Sequence, residues 1–342
     1  MRNLGKLAVL GITALGLALA GPQDNSLVIG ASQEPRVLAG DFLSVISNQA
    51  IKSEIEQYLF APFIGFNADS QNFPVLATEV PTLENGRLRV TDIGGGKKRL
   101  EMDITIRPDA KWSDGRPITT EDVAFYFEVG KAKGMPVLNP DFWERVNVRI
   151  KDARNFTLIF EPAYYYDTYG PINTYAPKHI MGPEWERVKA AARGLDPQKD
   201  AEKLNELYRN FFIKFSTPQA LNRGAMVYSG PFMLRRWVPG NSIEMVRNPN
   251  FPIKPEGGES KYVQKVVYRF IQNTNSLLVA VIGGSIDATS SVSLTFDQGR
   301  SPQLVRRAPG RFDIWFVPGA IWEHIDINKF ENCQVVKDLG LN

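Results

Sequence analysis

The sequence predicts an α/β protein of two or three domains, one of them rich in antiparallel strand. Three observations point there. At 342 residues the chain is longer than a single core normally fills. Near its start, Leu27-Val28-Ile29-Gly30 is a short unbroken apolar run of the kind that forms a strand buried on both faces. Further on, Leu100, Met102, Ile104 and Ile106 alternate with Glu101, Asp103, Thr105 and Arg107, the pattern of a half-buried antiparallel strand.

The elements follow in order. Arg2 and Lys6 precede an uncharged apolar stretch, residues 7–20, that closes on Ala18-Leu19-Ala20. That small-x-small ending is a signal-peptidase pattern, and the stretch is shorter than the roughly 20 residues of a membrane span. Residues 1–20 are therefore expected to be a cleaved signal peptide. No Cys follows to take a lipid, so the mature chain is expected free in the periplasm or outside the cell. After the first strand, Ala31-Ser32-Gln33-Glu34-Pro35 reads as a loop, placed where open α/β sheets bind ligands. Residues 46–60 read as a helix that Pro62 ends.

The texture changes near Phe63. Leu88 and Val90 read as the partner of the alternating strand across a Gly94-Gly95-Gly96 loop, and Phe156, Leu158 and Phe160 alternate likewise. A helix begins at Thr119-Thr120-Glu121-Asp122, with Thr119 as its cap and Val123, Ala124 and Phe127 as its buried stripe. From Pro162 the pattern shifts again. Ala201, Leu204, Tyr208 and Phe211 fall at helical spacing, Ile243 and Met245 mark one strand, and residues 262–271 another. Residues 275–282 form a short helix stopped by Gly283-Gly284, and residues 248–258, rich in Pro and Gly, read as a linker.

Composition narrows the function. A net charge of +3, with basic residues scattered among acids, argues against a nucleic-acid surface. The single cysteine, Cys333, rules out an internal disulfide, so an exported chain of this length must rely on burial. His179 and His324 stand far apart, no HExxH or CxxC spacing occurs, and a metal site is unsupported. Gly283-Gly284-Ser285-Ile286-Asp287 misses the last glycine of a nucleophile elbow, and Gly94-Gly95-Gly96-Lys97 lacks the frame of a phosphate loop. Both read as turns, and no cofactor is implied. Aromatic residues are plentiful, among them Tyr164-Tyr165-Tyr166, Phe142-Trp143, Trp237, Trp315 and Trp322; most such rings are core, and those with polar tips also suit ligand clefts.

Lys111-Trp112-Ser113-Asp114-Gly115-Arg116-Pro117-Ile118-Thr119-Thr120-Glu121-Asp122-Val123 resembles the WSDGxPxTAxDV signature of extracellular solute-binding protein family 5, the dipeptide- and oligopeptide-binding proteins of ABC transporters. Other stretches agree in order: residues 27–35, Pro177-Lys178-His179-Ile180, Ser229-Gly230-Pro231-Phe232 with Trp237-Val238-Pro239-Gly240 and Arg247-Asn248-Pro249, and the 283–287 turn. Within the signature Asp114-Gly115 supplies a turn, Pro117 a stiff extended residue and Thr119 a cap, all scaffold roles. His179 and the Arg247-Asn248-Pro249 turn read as structural too.

The resemblance implies a periplasmic binding protein of type II: two α/β lobes around a hinged cleft, with a β-rich domain inserted in the first. The expected division is a first-lobe segment at 21–62, the insertion at 63–161, a second first-lobe segment at 162–265 and the start of the second lobe at 266–342. His324-Ile325-Asp326-Ile327-Asn328 resembles a second-lobe strand, and the second lobe is expected to be incomplete. The resemblance implies a non-catalytic, monomeric protein that captures peptides and hands them to a membrane permease. By position, Ser32, Gln33 and Glu34 are expected to line the cleft from the first lobe, Phe142 and Trp143 from the insertion, and Trp322 and His324 from the second lobe. An oligosaccharide binder of the same family and a non-binding remnant stay open as alternatives; an exported hydrolase lacks a catalytic constellation.

Overall fold

A computed structural model of the chain describes residues 25–67, 69, 71–164, 176–254 and 262–316. The expected signal peptide at residues 1–20 lies outside them. The chain divides into two compact units, residues 1–294 and 295–342.

The first unit is built on the apolar run at its start. Strand β1 (Ser26–Ala31) lies inside a five-stranded sheet of order β11-β1-β10-β9-β8, formed with β8 (Phe232–Val238), β9 (Ser242–Arg247), β10 (Lys265–Phe270) and β11 (Ala288–Thr289). It runs parallel to β10 and β11, whereas β8, β9 and β10 are joined antiparallel. A strand flanked on both edges and covered on both faces has no polar side to show, hence its unbroken apolar run. Ile29 and Ala31 face the main core, to which helix α1 (Ala50–Leu59) contributes Ile51, Ile55 and Leu59. Val28 faces the other way, onto Leu277 of helix α7 (Thr274–Gly283) and Ile286.

Residues 60–160 carry the remaining strands. β2 (Ile64–Phe66) and β3 (Asn72–Pro74) pair as a hairpin. β4 (Leu88–Gly94), β5 (Lys97–Thr105), β6 (Val146–Ile150) and β7 (Asn155–Phe160) form an antiparallel sheet of order β4-β5-β7-β6. Leu88 opposes Met102 and Val90 opposes Leu100, the pairing the alternation predicts. Leu100, Met102 and Ile104 are buried, while the opposite face carries a charge ladder centred on Asp103. Burial would raise the Asp103 carboxyl, but hydrogen bonds from Arg89, Lys151 and Thr157 outweigh it and hold the group well below its usual range.

Helix α2 (Thr120–Gly130) starts where expected, with Thr119 and Asp122 forming a capping box. Its buried surface is wider than the stripe read from the sequence. Phe125, Tyr126 and Val129 are buried with Val123 and Phe127, whereas Ala124 is only half-buried. The cause is a second covering layer: α2 packs against β6 on one side and helix α4 (Lys178–Ala192) on another. Short helix α3 (Pro140–Arg145) precedes β6, and α5 (Ala201–Ser216) and α6 (Pro218–Asn222) complete the unit. In the second unit the described residues, 295–316, contain α8 (Phe296–Gly299) and α9 (Pro302–Val305).

The signature region acts as a fastener. Trp112 is fully buried, its indole donates to Asp122 Oδ2 (3.3 Å), and Gly115 turns the chain at φ +88°. Ser113 exchanges bonds with the backbone of Tyr228 and accepts one from Asn250 at its carbonyl. Asp122 also accepts from the backbone N–H groups of Thr119 and Lys178, so one carboxylate ties the starts of α2 and α4 together. His179 Nε2 lies 2.9 Å from Asp114 Oδ2, the structural role read for it.

Several expectations need correction. Helix α1 begins at Ala50 rather than residue 46, because the Asp41 carboxylate accepts from the N–H groups of Ile46 and Ser47 and holds them in a turn. β10 is shorter than residues 262–271. The start of the supposed linker is packed: Asn248 is buried, its Nδ2 donates to the Gly230 carbonyl, and Phe251 is buried beside it. Residues 255–258 of that stretch lie outside the described residues. The boundary expected at residue 265 falls at the head of β10, which pairs with β1 and β9, so residues 266–294 belong with the first unit.

The packing makes two outcomes testable. A Cβ at Gly230 would meet the Leu59–Phe60 backbone at 2.6 Å. Gly230→Ala should therefore lower unfolding stability by about 1–3 kcal/mol in a denaturant titration; an unchanged midpoint would contradict this close approach. Behind residues 39–47, Lys52 Nζ reaches Glu56 Oε2 (3.2 Å) and the Asp41 carbonyl (3.0 Å), all within the core. Burial pushes the Glu56 carboxyl up from 4.5 to about 7 against the pull of Lys52. A raised carboxyl holds its proton longer when folded, so its contribution is complete below pH 4.5 and is lost as pH rises to about 7. Melting curves across that window should show a decline that Glu56→Gln flattens.

Candidate ligand-binding site

β1, β10 and β11 run in one direction, so the segments after them gather at one end of the sheet, where open α/β sheets take ligands. Backbone bonds lace these segments together. Ile271 N donates to the Ala31 carbonyl (2.8 Å) and Ser290 N to the Gly30 carbonyl (2.9 Å). Ser32 donates to the Val292 carbonyl through both its N–H (3.2 Å) and its Oγ (2.6 Å). Asp287 closes the far side, exchanging bonds with the Val28 backbone.

Of the expected cleft residues, Ser32, Gln33 and Glu34 sit together at this end. Their side chains differ in freedom. Ser32 is used up on Val292. Glu34 is held inside the unit, with Oε1 accepting from the Trp237 indole (2.8 Å) and Oε2 from Gly240 N (2.8 Å). It thereby pins the loop after β1 to the β8–β9 hairpin. Gln33 is exposed, and its side chain has no hydrogen-bond partner among the described residues.

Phe142 and Trp143 are half-buried on α3, and their ring neighbours are Tyr126, Phe127 and Phe160 on α2 and β7. The Trp143 ring lies over Gly130 so closely that a Cβ there would stand 2.2 Å from it. The structure thus gives both rings a packing role and does not pair them with residues 32–34. Trp322 and His324 lie outside the described residues.

The sequence reading missed a cluster beside the same strand ends. Glu54 of α1 accepts from the Tyr268 hydroxyl at Oε1 (2.8 Å), and from Ser290 Oγ (2.9 Å) and Ser291 N (3.0 Å) at Oε2. Burial, reinforced by Tyr58 and Glu54, pushes the Tyr268 phenol far up, so it remains a donor. No motif marks these residues, because the partners are more than 200 positions apart in the chain. Among the described residues no group of three or more His, Cys, Asp or Glu could hold a metal ion, and no helix is long and apolar enough to cross a membrane.

The match to known proteins agrees with this architecture. The family model "Bacterial extracellular solute-binding proteins, family 5 Middle" matches residues 97–323. An oligopeptide-binding protein from Thermus thermophilus, solved in complex with a pentapeptide, is 98% identical with a TM-score of 0.91, over 94% of this chain and 54% of that one. The oligopeptide-binding protein AppA of Bacillus subtilis (strain 168) is 23% identical over 270 residues, 78% of this chain and 40% of its own. A probable ABC transporter-binding protein of Deinococcus radiodurans is 27% identical over 203 residues, 57% of this chain and 30% of its own. The chain spans about half the length of its solved relative, and less of the two others. The α/β unit, its sheet covered on both faces, together with the antiparallel β-rich part, accords with the type II fold that the resemblance implied. With the family model matching well over half of the 342 residues, this chain belongs to the bacterial extracellular solute-binding proteins of family 5.

Proposed function

We propose that this chain is the peptide-capturing component of an ABC importer, exported by its first 20 residues and working outside the cytoplasm without catalysis. The observation that carries this reading is the 98% identity to an oligopeptide-binding protein whose solved complex holds a pentapeptide. The local chemistry is compatible. Peptide main chains are recognised by polar and backbone groups, with side chains left in tolerant pockets. The carboxyl end of β1 offers such groups on a loop already fixed by Glu34 and Ser32, with Gln33 free to reach a ligand. A prefixed loop loses little freedom when the ligand arrives. The delivery partner under this reading is a membrane permease.

Thermal unfolding of the purified chain with a pool of di- to pentapeptides, and separately with cello-oligosaccharides, tests the reading. A ligand at a hundredfold excess over its Kd adds about 2.7 kcal/mol to a folded protein. A raised midpoint with peptides alone is expected. A shift with sugars alone would move the function to carbohydrate capture, and no shift with either would remove peptide capture from this chain.

Two substitutions separate binding from packing. Glu34→Ala releases the loop from the Trp237 indole and Gly240, and should weaken peptide binding by about tenfold in titration calorimetry. Trp143→Ala should instead cost stability, about 2–3 kcal/mol for a half-buried ring, with peptide affinity little changed. The reverse pattern would place the ligand against α3.

A further inference from the structure

We infer that Glu54 is a positioning residue for ligand capture, its carboxylate fastening residues 290–293 against the carboxyl end of β1. The inference rests on the reading that this end of the sheet receives a peptide. Residues 290–293 are nearly the last of the first unit, which ends at Leu294. They are Ser290-Ser291-Val292-Ser293, in which Val292 packs partly buried against the main core and the three serines are held by polar bonds.

Three of those bonds converge on Glu54, and another joins Ser290 N to the Gly30 carbonyl. Its Oε2 accepts from Ser290 Oγ, Ser291 N and Ser291 Oγ, while Oε1 accepts from Tyr268 OH. Within the segment, Val292 N donates to Ser290 Oγ (3.2 Å), and Ser293 Oγ donates to the Ser290 carbonyl. The Val292 carbonyl then receives both donors of Ser32. A continuous path thus runs from α1 through the serines to the residue beside Gln33. Every donor to Glu54 is neutral, so the ionised acceptor strengthens each bond without a competing cation.

Glu54 does not hold α1 in place. That helix is anchored by Ile51, Ile55 and Leu59 in the core and by the Lys52–Glu56 pair on another face. Removing the Glu54 carboxylate should therefore free the serine segment and leave the sheet folded. An amide is a weaker substitute, because with its NH2 turned to the Tyr268 hydroxyl it offers the serines only a neutral oxygen.

Hydrogen exchange of the full chain, with pentapeptide-pool titrations on the parent, Glu54→Gln, Glu54→Ala and Tyr268→Phe, provides the test. In both Glu54 variants the amides of residues 290–292 should exchange faster by about tenfold or more, and the apparent Kd should rise about tenfold. Tyr268→Phe leaves the carboxylate on the serines and should keep both readouts near the parent values. Unchanged exchange in the Glu54 variants would overturn the anchoring. Faster exchange with an unchanged Kd would overturn the role in capture, and a uniform acceleration across the sheet would make Glu54 a general stabiliser instead. A parent that binds no pentapeptide removes the proposed function and with it the role in capture; exchange of residues 290–292 then decides the anchoring alone.

Discussion

The first unit depends on a single constraint: β1 must be closed on both edges by strands that arrive more than 200 residues later. Val28 donates to Asp287 across a separation of 259 positions, and Ser32 is bonded to Val292 across 260. Bringing such distant segments together costs loop entropy before any contact is made. The return comes from burial, since Val28, Ile29 and Ala31 are covered on both faces by α7 and the main core. The same parallel arrangement gathers the segments after β1, β10 and β11 at one end and makes that end the candidate site. Fold and site therefore have one origin.

Carboxylates do much of the fastening, and most of their partners are neutral donors. Asp122 joins the starts of α2 and α4, Glu34 pins the loop after β1, Glu54 holds the serine segment and Asp41 shapes the turn before α1. An ionised oxygen accepting N–H and O–H groups makes bonds of fixed direction, suited to holding irregular backbone that no ladder supports. Where burial is deeper, the charge itself becomes costly. Asp41 and Glu56 are both raised by desolvation, Glu56 despite its contact with Lys52. The antiparallel sheet shows the opposite balance, its Asp103 surrounded by cations on a partly exposed face. Ion pairs of that kind add little individually, and their interest lies in the ladder they form across three strands.

The signature around Trp112 shows how a short motif can serve a fold. Its turn, cap and indole each satisfy a partner inside the unit, and Ser113 and Asn250 carry the link onward toward β8. Such residues identify the family because they hold its frame.

Local pattern was enough to read β1, the β4–β5 pairing, β7, the capped start of α2 and the αL stop at Gly284, because each is set by neighbours within a few positions. The family, too, was legible, through the spacing of a local turn and cap. Tertiary structure decided what depended on partners far along the chain. It moved the start of α1 to Ala50 through Asp41, buried Asn248 in a stretch that reads as linker, and joined residues 266–294 to the first sheet. It also gave Glu34 two partners on the β8–β9 hairpin and brought Glu54 to the serine segment. Periodicity and turn chemistry act between near neighbours, so the sequence alone determined the elements. Which carboxylate meets which donor is settled only when packing closes separations of 200 residues or more, and on that the site depends.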